Sequence, residues 1–220
     1  MTTLTTPPLA NLLPQLLRDA AHSSSVLDQL STNMSAADRT RLMTSKTDYR
    51  EMYARMKDFH LAVSPETGTL LYMLARASKA CSIVEFGTSF GISTLHLAAA
   101  LRDNGGGRII STEFEPAKIA QAQANLAAAG LSDLVEIRAG DALQTLASEL
   151  PEHIDLVLLD GAKPLYPQIL TLLESRLRPG AMIVADNADW CPEYLARVRT
   201  VSNGYLSVPF AADVELSFKL

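Results

Sequence analysis

Cysteine is scarce: the 220-residue chain has two, Cys81 and Cys191. Two thiols cannot build a disulfide framework or a cysteine-rich zinc site, and a reducing, cytoplasmic setting is expected. Basic runs are missing as well. The 19 Lys and Arg face 24 Asp and Glu, a net charge of −5, and no nucleic-acid partner is expected. Apolar runs stop well short of the ~20 residues that a membrane span needs, so no membrane partner is expected. The first residues show no charged segment ahead of an apolar stretch, so no secretory signal is expected. His22, His60, His96 and His153 have no ligand spacing. His96 stands among leucines and reads as a packed or surface histidine. What is present is globular: 48% hydrophobic and 20% charged residues, on a chain long enough to bury a core without staples.

The chain divides by character. Residues 1–8 are rich in Thr and Pro and read as an exposed arm. Residues 9–60 read as helical, with apolar Leu12, Leu13, Leu16 and Leu17, later Met52, Met56 and Phe59, and polar breaks at 23–25 and 31–33. Residues 1–60 are therefore expected to be a helical extension of the same domain, and 61–220 the domain proper. Ser64 followed by Pro65 is a helix start. From there short apolar strands alternate with helices. Strands are expected at 82–86, 108–112, 135–138, 154–159 and 181–185, with helices at 92–101, 116–129, from 142, and 165–175. That alternation is the mark of an α/β protein with a parallel sheet covered on both faces. After a short helix at 192–199, the runs 205–209 and 214–220 are too close together for a parallel crossover and should pair antiparallel.

Four strand ends carry candidate chemistry, because open parallel sheets bind ligands at the carboxyl ends of their strands. The first is Glu85-Phe86-Gly87-Thr88-Ser89-Phe90-Gly91-Ile92-Ser93. Its glycines are either packing turns or a place where a ligand approaches the backbone closely. A helix start with the Ser93 hydroxyl suits a carboxylate. The spacing is not the G-x-G-x-x-G of a pyrophosphate turn. The second is Glu113, which either is solvated or accepts both hydroxyls of a ribose, followed by Phe114, which can pack on an adenine. The third is Gly140-Asp141-Ala142, where Asp141 either caps the next helix or accepts from an adenine amino group.

The fourth joins two strand ends: Asp160 closes one, and Asp186 with Asn187 closes the next. Two carboxylates and an amide suit a hard cation, Mg²⁺ first, with Mn²⁺ or Ca²⁺ as substitutes. The competing reading is that both aspartates cap helices. Lys163, three residues after Asp160, reaches the same place and is a candidate base. Trp190 and Tyr166 either line an acceptor pocket or simply pack.

Together these motifs resemble the cation-dependent O-methyltransferases, the group of the catechol and caffeoyl-CoA O-methyltransferases. The resemblance runs from Phe59 to Leu220. It rests on Val63-Ser64-Pro65-Glu66-Thr67-Gly68, Val84 to Gly91, Glu113, Gly140-Asp141-Ala142, Asp160-Gly161-Ala162-Lys163 and Ala185-Asp186-Asn187. It implies a Rossmann-like, seven-stranded class I methyltransferase sheet that binds S-adenosylmethionine. It places Val63, Gly87, Ser89 and Ser93 by the methionine moiety, Glu113 on the ribose, and Asp141 with Ala142 at the adenine. Asp160, Asp186 and Asn187 would hold the cation, and Lys163 matches the proposed base. Two departures stand out. Gly161 and Ala162 replace bulkier or charged residues, and the segment after Asn187 lacks a long acceptor loop. The function implied is methyl transfer to a hydroxyl of a small catechol-like or phenolic acceptor. The alternatives are a non-catalytic S-adenosylmethionine-binding module and a nucleotide-dependent oxidoreductase. The apolar excess of the N-terminal extension adds the expectation of a homodimer.

Overall fold

The computed structural model describes residues 1–32 and 35–220. Four helices precede the first strand: α1 (Leu9–Thr32), α2 (Ala36–Thr44), α3 (Tyr49–Arg55) and α4 (Pro65–Ala77). Then follow β1 (Ser82–Phe86), α5 (Ile92–Asn104), β2 (Arg108–Glu113), α6 (Pro116–Ala128), β3 (Val135–Ala139) and α7 (Ala142–Thr145). The rest is β4 (Ile154–Leu159), α8 (Tyr166–Leu173), β5 (Leu177–Ala185), α9 (Pro192–Val198), β6 (Tyr205–Pro209) and β7 (Glu215–Lys219). Among the described residues these strands form one seven-stranded sheet in the order β3-β2-β1-β4-β5-β7-β6. The first five run parallel, and β7 pairs antiparallel with both β5 and β6. The sheet is the expected one, five parallel strands with an antiparallel end.

Strand parity splits the core. Val84, Phe86, Val157, Leu159 and Ile183 face one side, where they meet Ile169, Leu170 and Leu173 of α8. Ile83, Leu156, Leu158 and Val184 face the other, against Leu95, Leu97 and Leu101 of α5 and Leu9, Leu13 and Leu16 of α1. All six residues of the central β4 are buried. Burying each such aliphatic side chain is worth roughly 1.5–3 kcal/mol, so this double layer holds the strand ends in place.

Local chemistry sets the element ends. The Ser64 side chain accepts from the Thr67 amide and starts α4. Strand β5 begins at Leu177, earlier than the expected 181, because a register shift between Ile154 and Leu156 absorbs the Pro179-Gly180 step.

The N-terminal segment differs from the sequence reading in two places. Residues 1–8 are not a free arm, because Asp103 of α5 accepts from the Thr3 amide at 2.9 Å, the Thr3 hydroxyl at 2.6 Å and the Tyr72 hydroxyl at 2.7 Å. The break expected at 23–25 is absent. α1 continues through it, with Ser23 buried and accepting from the His60 amide. The second expected break, 31–33, runs into residues outside those described.

Candidate active site

Strand order reverses at β1, which has β2 on one side and β4 on the other. A crevice opens there at the carboxyl ends of the strands. The loops after β1 and β4 meet backbone to backbone: the Asp160 amide donates to the Phe86 carbonyl at 2.8 Å. A Cβ on Gly87 would lie 2.6 Å from the Asp160 carbonyl oxygen, and its φ of +104° also requires glycine. Ser89 is held at a φ of +48°, with its amide on Oε2 of Glu113 at 2.9 Å. The other oxygen of Glu113 takes the amides of Phe114 and Glu115 at 2.9 and 3.0 Å. Glu113 thereby ties the β1 and β2 loops into one rim.

Of the candidate residues, Gly87, Ser89, Glu113, Phe114, Asp141, Ala142 and Asp160 line one cavity. Asp141 both caps α7, accepting from the Leu143 amide at 3.0 Å, and pairs with Arg50 at 2.5 Å. Other candidates lie behind the wall. Val63 is buried. Glu85 is fully buried under α5, accepting from Ser93 and Thr94 at 2.6 Å and from Ser111 at 2.5 Å. Burial pushes its carboxyl up to about 7, with the Ser111, Ser93 and Thr94 hydroxyls pulling the other way. Ser93 reaches only a small adjoining cleft, between His60, Ser89 and Phe90.

Asp160 and Asp186 face each other at the ends of β4 and β5. Burial and the neighbouring Asp160 raise Asp186 to about 8. Two neighbouring carboxylates are the donor chemistry that suits a hard cation. Asn187, at a φ of +47°, spends its amide nitrogen on Asp213 at 3.0 Å, which leaves its oxygen available. Among the described residues no group of three His, Cys, Asp and Glu side chains converges as a metal centre. The oxygen donors present are two carboxylates and one amide.

Lys163 is buried and donates to Asp160 at 2.9 Å. Burial lowers its proton affinity, but Tyr166, Asp160, Tyr53 and Asp186 outweigh that and hold its pKa well above the usual value. Tyr166 is core: it is fully buried and donates to the Asp186 carbonyl at 2.7 Å. Trp190 is half-buried and not part of the cavity wall. His96 is a packed histidine against Gly68, bonded to the Ile92 carbonyl.

Sequence reasoning missed four contributors. Tyr49, Arg50 and Tyr53 of α3 form a wall of the cavity, and Tyr53 donates to the Gly161 carbonyl at 3.4 Å. The repeat of tyrosine at i and i+4 was the available signal. Lys118, at the start of α6, is the fourth, and it lines the same cavity.

Residues 84–188 match the model of a methyltransferase domain. The seven-stranded order, with the cavity at its switch point, is that of a Rossmann-like, class I methyltransferase fold. The chain is 39% identical over 130 residues to a catechol O-methyltransferase from Niastella koreensis, covering 58% of each chain. It is 36% identical over 127 residues to one from Mycobacterium tuberculosis, covering 58% of this chain and 57% of the relative. The matched stretch thus spans somewhat more than half the length of these curated relatives. Among solved structures, the O-methyltransferase TomG from Streptomyces achromogenes, in complex with SAM, superposes with a TM-score of 0.64 at 28% identity. That alignment covers 89% of this chain and 96% of TomG.

Proposed function

We propose that the chain is an S-adenosylmethionine-dependent O-methyltransferase acting on a hydroxyl of a small catechol-like or phenolic acceptor. One observation carries the reading: the cavity that joins Gly87, Glu113 and Asp141 also opens on Asp160, which bears the Lys163 ammonium. A nucleoside site and a polar reaction centre therefore share one space. Phe114 and Ala142 suit the adenine, Glu113 the ribose hydroxyls, and Ser89 with Gly87 the methionine end. The relatives with catechol O-methyltransferase in their names support the acceptor class.

The residues divide the work. Burial alone drives Lys163 toward the neutral amine, and its anionic neighbours hold it charged. Once Asp160 is neutralised, burial favours the neutral amine: Lys163 releases its ammonium proton to solvent and can then take the acceptor's proton. The acceptor oxygen then forms a bond to the methyl carbon. The carbon–sulfur bond breaks, and its electron pair stays on sulfur, which becomes a neutral thioether. Holding the two reactants in line supplies much of the acceleration.

Asp160, Asp186 and Asn187 are the residues that would hold a divalent cation, Mg²⁺ first. Bound there, such a cation stabilises the acceptor's oxyanion. We further propose that residues 1–60 are an extension of a methyltransferase domain spanning 61–220, and that the protein is a cytoplasmic homodimer. No helix among the described residues is long and apolar enough to cross a membrane.

Methyl transfer from labelled S-adenosylmethionine to catechol, with and without a chelator, tests this. Turnover abolished by chelator and restored by Mg²⁺ or Mn²⁺ is expected. Turnover that persists after verified metal removal ends the cation mechanism, and failure to bind S-adenosylhomocysteine ends the donor reading. A monomeric mass by light scattering across micromolar concentrations ends the dimer.

A further inference from the structure

Lys118 is a buried lysine that no carboxylate contacts directly among the described residues, although Glu113, Asp160 and Glu115 act on it through space. Its side chain is 3% exposed, yet it forms no ion pair among the described residues. Its Nζ lies 3.5 Å from the Ser89 hydroxyl and 5.6 Å from the centre of the Phe90 ring. The cavity's neighbouring cations are already spent, Arg50 on Asp141 at 2.5 Å and Lys163 on Asp160 at 2.9 Å. Glu113 accepts from the three backbone amides of the rim and acts on Lys118 only through space, without an ion pair. Taking an ammonium out of water costs several kcal/mol unless something answers it.

The surroundings say which ligand group answers. The Lys118 ammonium sits at the Ser89 end of the cavity, next to the cleft lined by His60, Ser89, Phe90 and Ser93. The His60 ring stacks on Phe90 with centroids 4.1 Å apart, and its buried Nδ1 has no partner among the described residues. The other charged groups on the cavity wall are four acids, Glu113, Glu115, Asp141 and Asp160, and Arg50, which is paired with Asp141. A pyrophosphate would meet these carboxylates at close range. One monoanionic group beside two positive centres suits the mixture, and the methionine end of S-adenosylmethionine is that: one carboxylate, one ammonium and one sulfonium.

We propose that Lys118 receives the α-carboxylate of the methyl donor and so selects the intact amino-acid-bearing donor over truncated nucleosides. The proposal rests on the donor reading above. A charge-assisted hydrogen bond is shorter and stronger than a neutral one, so the carboxylate anchors the donor's free end. The Ser89 hydroxyl, beside the ammonium, is placed to share the anion. No covalent step involves Lys118; it positions the donor.

Calorimetry on the full chain separates the possibilities. S-adenosylhomocysteine carries the carboxylate and 5′-methylthioadenosine does not. Lys118→Met should weaken S-adenosylhomocysteine by about tenfold or more, while the affinity for 5′-methylthioadenosine stays within about twofold. Lys118→Arg, which keeps the charge, should restore most of the loss. Binding of 5′-methylthioadenosine also shows that each variant is folded. Equal weakening of both ligands, or an unchanged affinity for S-adenosylhomocysteine, overturns the role of Lys118 and leaves the donor reading standing. A wild-type protein that binds neither ligand overturns both together.

Discussion

Gly161 lies flat against the ring of Phe86: a Cβ added to Gly161 would sit 2.5 Å from Cζ of Phe86. Where the resemblance implied a bulkier residue after Asp160, the space is filled from below by Phe86, the last residue of β1. Phe86 also packs edge-on against Tyr166 with ring centroids 6.2 Å apart. Gly161→Ala should therefore destabilise by about 1–3 kcal/mol through overpacking, read as a lowered denaturant midpoint. Phe86→Leu in the same chain should recover part of that loss. A double variant no better than the single one would show that Phe86 is not the obstacle.

Glu113 holds three amides of the rim and faces the cavity. Glu113→Ala should weaken S-adenosylhomocysteine by on the order of 1.5–3 kcal/mol. Glu113→Gln keeps an acceptor oxygen and should fall between it and wild type. Titration of both variants checks this, and wild-type affinity in Glu113→Ala would remove Glu113 from the ribose site.

The sheet and its strand-end residues were legible because each parallel strand is a short apolar run stopped by glycine or an acid. Five of these runs set the sheet, and the close spacing of 205–209 and 214–220 set the antiparallel end. Residues on other faces were less legible. Glu85 was read with the glycine turn, but alternation puts it on the Ile83 side of β1, under α5, away from the cavity. Lys118 stands in an alanine-rich helix start with no motif around it, and only the fold brings it to Ser89. Tyr49 and Tyr53 stand four residues apart on one face of α3, a spacing that marks a shared face and not what that face covers. Asp213 reaches Asn187 solely through the antiparallel turn between β6 and β7.

Tyr53 carries the extension into the reaction centre. Burial raises its phenol above the usual range, with Lys163 opposing and Asp160, Glu113 and Asp186 adding to the rise. It thus stays a neutral hydroxyl near the Asp160–Lys163 pair. Tyr53→Phe should raise KM for a catechol acceptor several-fold and leave S-adenosylhomocysteine affinity unchanged. Steady-state kinetics with calorimetry decide it, and an unchanged KM would confine Tyr53 to packing.

Glu85 makes stability pH-dependent in a definite direction. Its folded-state value of about 7 lies above the ordinary 4.5, so the folded state keeps the proton longer. Below about 4.5 both states are protonated and the group is neutral to stability. As pH rises toward 7, the unfolded state releases its proton first, and stability falls by on the order of 3 kcal/mol before levelling off. Other acids and histidines titrate in the same range, so the readout is a difference. Denaturant midpoints of wild type and Glu85→Gln should converge at high proton concentration and diverge from pH 4.5 to 7, wild type losing more. Parallel curves across that window would show that Glu85 is ionised in the folded protein.

Lys163 separates catalysis from binding. Its ammonium is bonded to Asp160, and the adenine, ribose and carboxylate contacts proposed for the donor lie elsewhere in the cavity. Lys163→Ala should lower kcat by ~10²–10⁴-fold, the usual loss for a general base, while S-adenosylhomocysteine affinity changes little. Removing the ammonium from Asp160 takes away a competitor for that carboxylate, so Mg²⁺ affinity, measured directly by titration, should hold or rise. Acceptors of graded acidity extend the test. If Lys163 takes the proton, the deficit of the variant should shrink as the acceptor phenol becomes more acidic, because an ionised acceptor needs no base. A deficit of constant size across that series would instead make Lys163 a positioning residue for Asp160, and near-normal kcat with every acceptor would remove it from the chemistry.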